Sequence, residues 1–86
     1  MTFTGISESI EINGTLTVCI TGDVINTTIE YQPDRYTGDV WFPLQQEIGT
    51  DTAITATATF NVSLPLGKIR FNGGTNVTVL IGYHDQ

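Results

Sequence analysis

Few side chains in this 86-residue sequence could carry out chemistry, and each lacks the companions that would activate it. His84, the single histidine, sits two residues from the C-terminal end, where chains fray. As a general base it would need an orienting carboxylate and a nucleophile to deprotonate. Cys19, the single cysteine, lies among threonines, away from the cations or helix N-terminus that lower a thiol pKa. Zinc would need several Cys or His ligands. Calcium could use Asp34 and Asp39 with loop carbonyls, yet Asp34-Arg35-Tyr36-Thr37-Gly38-Asp39 lacks the dense acidic spacing of a calcium loop. Paired carboxylates for glycoside cleavage would need a deep cleft, for which a chain this short has little room. Gly73-Gly74 leads into a strand-like run and not into a helix, so it does not read as a phosphate cradle. The expectation is no catalytic residue, no cofactor, no metal ion, and a protein that is not an enzyme.

Size and charge narrow the partners. Nine carboxylates against Arg35, Lys68 and Arg70 give a net charge of −6. Nucleic-acid binding rests on clustered Lys and Arg that release counterions from phosphate, and three scattered cations do not supply it. No stretch reaches the ~18 apolar residues of a membrane helix. Met1-Thr2-Phe3-Thr4-Gly5 has no basic start and no apolar run after it, so a soluble product of the cytoplasm is expected. In that setting the Asn-x-Ser/Thr triplets at Asn13, Asn26, Asn61 and Asn76 are read as chance in a threonine-rich chain. A domain this small buries only about 60–65% of its unfolded surface. With one cysteine there is no internal disulfide, and association between copies is the remaining route to extra stability.

The elements that hold these residues are strands throughout. From Thr52 to Leu64 the apolar Ile54, Ala56, Ala58, Phe60, Val62 and Leu64 alternate with threonine, asparagine and serine, the period of a strand with one wet and one dry face. Ile6 to Ile12 alternates loosely before Asn13-Gly14, a tight-turn signal. Thr15 to Thr21 and Val24 to Gln32 follow, and the three segments read as an antiparallel meander. Val40, Phe42 and Leu44 alternate next, and Pro43 among them points to an edge or a bulge. Pro65-Leu66-Gly67 reads as the end of the long strand. Ile69 and Phe71 then alternate with polar residues, Gly73-Gly74 reads as a hairpin turn, and Val77 to Tyr83 closes the chain. The pattern predicts an all-β fold, an antiparallel sandwich of about seven strands, immunoglobulin-like in outline. An N-terminal arm over 1–7 precedes a single domain over 8–86.

Aromatic residues supply the candidate contacts. Tyr31, Tyr36, Trp41 and Phe42 gather around one loop and its flanking strand. Trp and Tyr dominate interface hot spots, and Tyr36 in the loop with Trp41 opposite the Val40, Phe42, Leu44 row fits an exposed anchor as well as core packing. The arm Met1 to Ser7, with Phe3 and Ile6, is a second candidate contact because termini order readily on a partner.

The runs Ile29-Glu30-Tyr31-Gln32-Pro33-Asp34, Gly38-Asp39-Val40-Trp41-Phe42-Pro43-Leu44, Phe60-Asn61-Val62-Ser63-Leu64-Pro65-Leu66-Gly67-Lys68-Ile69-Arg70-Phe71 and Gly73 with Asn76-Val77-Thr78-Val79-Leu80 carry a resemblance. Over residues 14 to 82 the chain resembles small β-sandwich structural proteins of tailed bacteriophages: head decoration, neck and tail components. It departs from them in the Arg35-Tyr36 loop and in Pro43. The resemblance implies a virion protein made in the bacterial host cytoplasm, a capsid decoration or cement protein bound as a homo-oligomer to the major capsid protein or other virion proteins. The alternative it leaves is a neck, tail or fibre module that binds a host-surface carbohydrate through Tyr36 and Trp41.

Overall fold

The computed structural model describes residues 1–47, 50–51 and 53–83, with side chains outside 45–52. Every element among them is a strand: β1 (Thr2–Phe3), β2 (Ile10–Val24), β3 (Thr28–Pro33), β4 (Phe42–Pro43), β5 (Gln45–Glu47), β6 (Thr50–Asp51), β7 (Ala58–Asn72) and β8 (Thr75–Tyr83). Six of them form one open antiparallel sheet in the order β1-β8-β2-β7-β3-β4, and β5 pairs with β6 alone. The all-β expectation holds, and the hydrogen bonds run through one main sheet.

The turn expected at Asn13-Gly14 and the strand end expected at Pro65-Leu66-Gly67 are both absent, because these residues lie inside long strands. Asn13-Gly14 is part of β2, and Pro65-Leu66-Gly67 is part of β7. There Ile12 faces Gly67 and Gly14 faces Leu64, so Pro65 and Leu66 together oppose the single residue Asn13. That is a β-bulge, which bends a strand and shifts its alternation by one. The shift is visible in burial: Val62 points inward before it, Ile69 and Phe71 after it. A proline without an N–H is tolerated at such a bulge. The isolated pair of Thr27 with Ile54 replaces the start of the predicted 52–64 strand, whose first residue, Thr52, lies outside the described ones.

The meander and the last hairpin are also corrected. β7 lies between β2 and β3, and β2 lies between β7 and β8. Gly73-Gly74 therefore joins two parallel strands across a third. So short a connection works because the pairing turns a corner: Val24 faces Thr75, and four residues on Thr28 faces Asn72. The β2–β3 stretch and the β7–β8 stretch run past each other as one bent ribbon. On its other side the N-terminal stretch follows the same bend, with Phe3 opposite Val77 and Ile6 opposite Asn72. Gly5 N–H donates to Gly74 O, and Gly73 N–H donates to Gly5 O. Residues 1–7, expected as an arm, are thus tied to β7 and β8.

The bend lets one sheet cover itself. Ile12, Leu16, Val18 and Ile20 of β2 meet Val62, Ile69 and Phe71 of β7, Val77 and Val79 of β8, Ile29 of β3 and Phe3 of β1 in a single buried cluster. Phe3 and Phe71 stack with centroids 6.3 Å apart. The buried polar atoms are satisfied: Ser7 Oγ accepts from Phe71 N at 2.8 Å, and Thr27 Oγ1 donates to Gly73 O at 2.9 Å. On the outer face threonines pair across strands, Thr15 with Ser63 at 2.6 Å, Thr21 with Thr57 at 3.1 Å and Thr2 with Thr78 at 2.9 Å. Such cross-strand hydroxyl pairs explain the abundance of threonine on exposed strand faces.

Candidate functional site

Where β7, β3 and β4 pair in succession, a connected set of side chains crosses the sheet. Antiparallel register sets Glu30 opposite Arg70 and Thr28 opposite Asn72. Arg70 Nε donates to Glu30 Oε1 at 2.6 Å, and Asn72 Nδ2 lies 3.5 Å from both carboxylate oxygens. The pair is largely shielded, with side-chain exposures of 24% for Arg70 and 15% for Glu30. The guanidinium carbon also stands 4.5 Å from the centre of the Trp41 ring, a cation–π contact. Asn72, Glu30, Arg70 and Trp41 thus form a continuous chain outside the apolar core.

The loop over 34–41 is tied down from both sides. Arg35 takes a left-handed conformation, φ 67°, to turn the chain out of β3, and Tyr36 N–H returns to Pro33 O. Gln32 Nε2 donates to Val40 O at 3.0 Å. Tyr31 hydroxyl reaches Pro65 O at 3.1 Å, and Asp34 N–H donates to Leu66 O, which binds the loop base to the β7 bulge. On this frame the Tyr36 ring meets Phe42 edge-on at 5.5 Å. Tyr36, Val40, Phe42 and Leu66 are all exposed, at 37%, 56%, 44% and 40%. A cleft of about 250 Å³ beside them is lined by Tyr36, Leu66, Arg35, Lys68, Glu11 and Asp34 among others.

Of the predicted contact residues, Tyr36 and Trp41 come together here. Tyr36 is exposed; Trp41 is half-buried, with Arg70 over its ring. Phe3 is buried against Phe71 in the core, while Ile6 is exposed on the opposite side of the corner. Pro43 lies in β4, the last strand of the sheet order, as its missing N–H requires. Asp34 Oδ2 sits 4.0 Å from Arg35 Nε, both exposed to water. Cys19 Sγ accepts from Thr59 Oγ1 at 3.6 Å. His84 lies outside the described residues, and among those described no three His, Cys, Asp or Glu side chains converge. Glu30, Arg70 and Asn72 were invisible as a group in the sequence, because only the β3–β7 pairing brings them together.

Trp41 is the sole tryptophan, so its emission reports on this chain of contacts. Arg70→Met should leave Glu30 short of its charged partner and cost about 1.5–3 kcal/mol, the range for hydrogen bonds to charged groups. The urea midpoint should fall and native Trp41 emission should move to longer wavelength. A loss below about 0.5 kcal/mol would mean that the pair behaves as a solvent-screened surface pair. Comparison of the chain with family models, with curated proteins and with solved structures finds no match.

Proposed function

We propose that this chain is a structural protein of a tailed-phage virion, a capsid decoration or cement protein without catalytic activity that binds the outside of the head. In this reading the bent sheet serves as a small immunoglobulin-like sandwich, and the β3–β4 edge is its docking face toward the major capsid protein or a neighbouring virion protein. The observation that carries the proposal is the exposure of Tyr36 and Val40 on the 34–41 loop together with Phe42 of β4 and Leu66 of β7, the loop being fixed by bonds from Gln32, Tyr31 and Asp34. Aromatic anchors held in place before binding lose little conformational freedom on docking. The phage resemblance supplies the setting. Its Leu64 to Arg70 corner coincides with the β7 bulge that supports the loop. Many weak contacts repeated on a lattice sum to firm attachment, and a net charge of −6 suits the outer side of a shell filled with DNA.

Particles assembled with and without the chain should differ in survival on heating or in low salt. Tyr36→Ala with Phe42→Ala should abolish shell binding while the isolated protein keeps its β-sheet circular dichroism. Equal particle stability and no binding to the shell would defeat the proposal. A glycan-array signal lost in Trp41→Ala, without shell binding, would reassign the chain to a tail or fibre module.

A further inference from the structure

The two edges of the main sheet are treated differently. β4 is two residues long and contains Pro43, both devices that stop a further strand from adding. At the other edge β1 covers only the first half of β8. Val79 exchanges both backbone bonds with Met1, N–H to Met1 O at 2.7 Å and O from the Met1 amino group at 3.0 Å, so Val79 points away from β2. Backbone groups alternate sides along an antiparallel strand, and Ile81 and Tyr83 point the same way. Among the described residues nothing pairs with them on that side. No residue from Thr75 to Tyr83 is charged or proline, and Tyr83 is 66% exposed.

We infer that β8 pairs with β8 of a second copy of this chain, edge to edge and antiparallel, about a two-fold axis at Gly82. Met1 occupies the position of Val79, so among the described residues the register that uses both free positions sets Ile81 of one copy against Tyr83 of the other, twice. An aromatic residue opposite a β-branched one is a favourable cross-strand pair. Charge selects the occupant. Copies bearing −6 each repel wherever carboxylates meet, and among the described residues this strand, Thr75 to Tyr83, brings none to the pairing. The pairing closes with two copies because each has one such edge. It is separate from the β3–β4 docking face, and its test needs no shell, so either reading can fail alone.

Gly82 would face Gly82 across the axis in the closely spaced kind of pair, with Cα atoms about 4.5 Å apart, within disulfide reach. A Cβ at Gly82 meets only Thr17, at 3.7 Å or more, so cysteine fits there. In a Cys19→Ser background, Gly82→Cys should cross-link nearly all chains into dimers on mild oxidation. Leu80→Cys, whose two copies would stand ~14 Å apart at strand geometry, should not. By sedimentation at tens of micromolar, the unaltered protein should show twice the 9.4 kDa chain mass. Tyr83→Lys and Ile81→Pro should each return it to one chain mass with unchanged circular dichroism. A monomer at every concentration, a dimer untouched by Tyr83→Lys, open-ended aggregates, or equal cross-linking at 80 and 82 would each overturn the inference.

Discussion

Phe71→Ala should cost about 3–5 kcal/mol, the usual range for a fully buried aromatic cut to a methyl group. Phe71 is fully buried, stacks on Phe3 and sits where the bent ends of β7, β3 and the N-terminal stretch meet. Its removal leaves a void that several elements border at once. A chain of this size has a total stability of roughly 4–13 kcal/mol at ~0.05–0.15 kcal/mol per residue. The loss should therefore lower the melting temperature by roughly 12–40 °C, at about 4–8 °C per kcal/mol. Phe71→Leu, which keeps most of the volume, should cost about 1–1.5 kcal/mol. Thermal and urea unfolding followed by circular dichroism would measure both. A loss below about 1 kcal/mol for the alanine variant would mean that the core is not organised around this ring.

Gly73→Ala should be nearly as damaging for a different reason. At φ 108° the residue lies where L side chains are strained, and a Cβ would run into the Asn26 carbonyl. Backbone has to move, at the point where Gly73 also donates to Gly5 O and accepts from Thr27 Oγ1. The expected cost is about 3 kcal/mol or more, backbone strain of roughly 1–3 kcal/mol plus displaced hydrogen bonds. Gly14→Ala separates the two causes. Gly14 has φ 107° but nothing within 4 Å of a built Cβ, so only the strain applies and a loss of about 1–2 kcal/mol is expected. Equal losses at both positions would show that crowding at the corner is unimportant.

The residues that were legible in the sequence and those that were not divide along physical lines. Leu16, Val18 and Ile20 announced an inward row because strand alternation is a local property, and they are buried as the period demands. Ile69 and Phe71 did likewise, but on the shifted parity. By residue type Asn13-Gly14 reads as a turn and Pro65-Leu66-Gly67 as the end of a strand, while the same types also suit a bulge. Only the partner strand decides between the two, and pairing between residues 50 apart leaves no local trace. The same limit hid the site. Tyr36 and Trp41 stood out by type, whereas Glu30, Arg70 and Asn72 looked like ordinary polar positions on two unrelated strands. Phe3 reads as a contact residue from its place near the terminus, yet the corner at Gly73-Gly74 draws it inside.

The register of the main sheet also governs how this protein can be made. β1 and β2 leave the ribosome before β7 and β8, the strands they hydrogen-bond. Until Thr75–Tyr83 has emerged, β2 can have at most the flank that β7 supplies, and its aliphatic row stays partly open to water and to other nascent chains. Folding is therefore slow for so small a domain, since distant partners must find one another before any of them is held. High expression at warm temperature should favour inclusion bodies over native protein, and slower synthesis should shift the balance back.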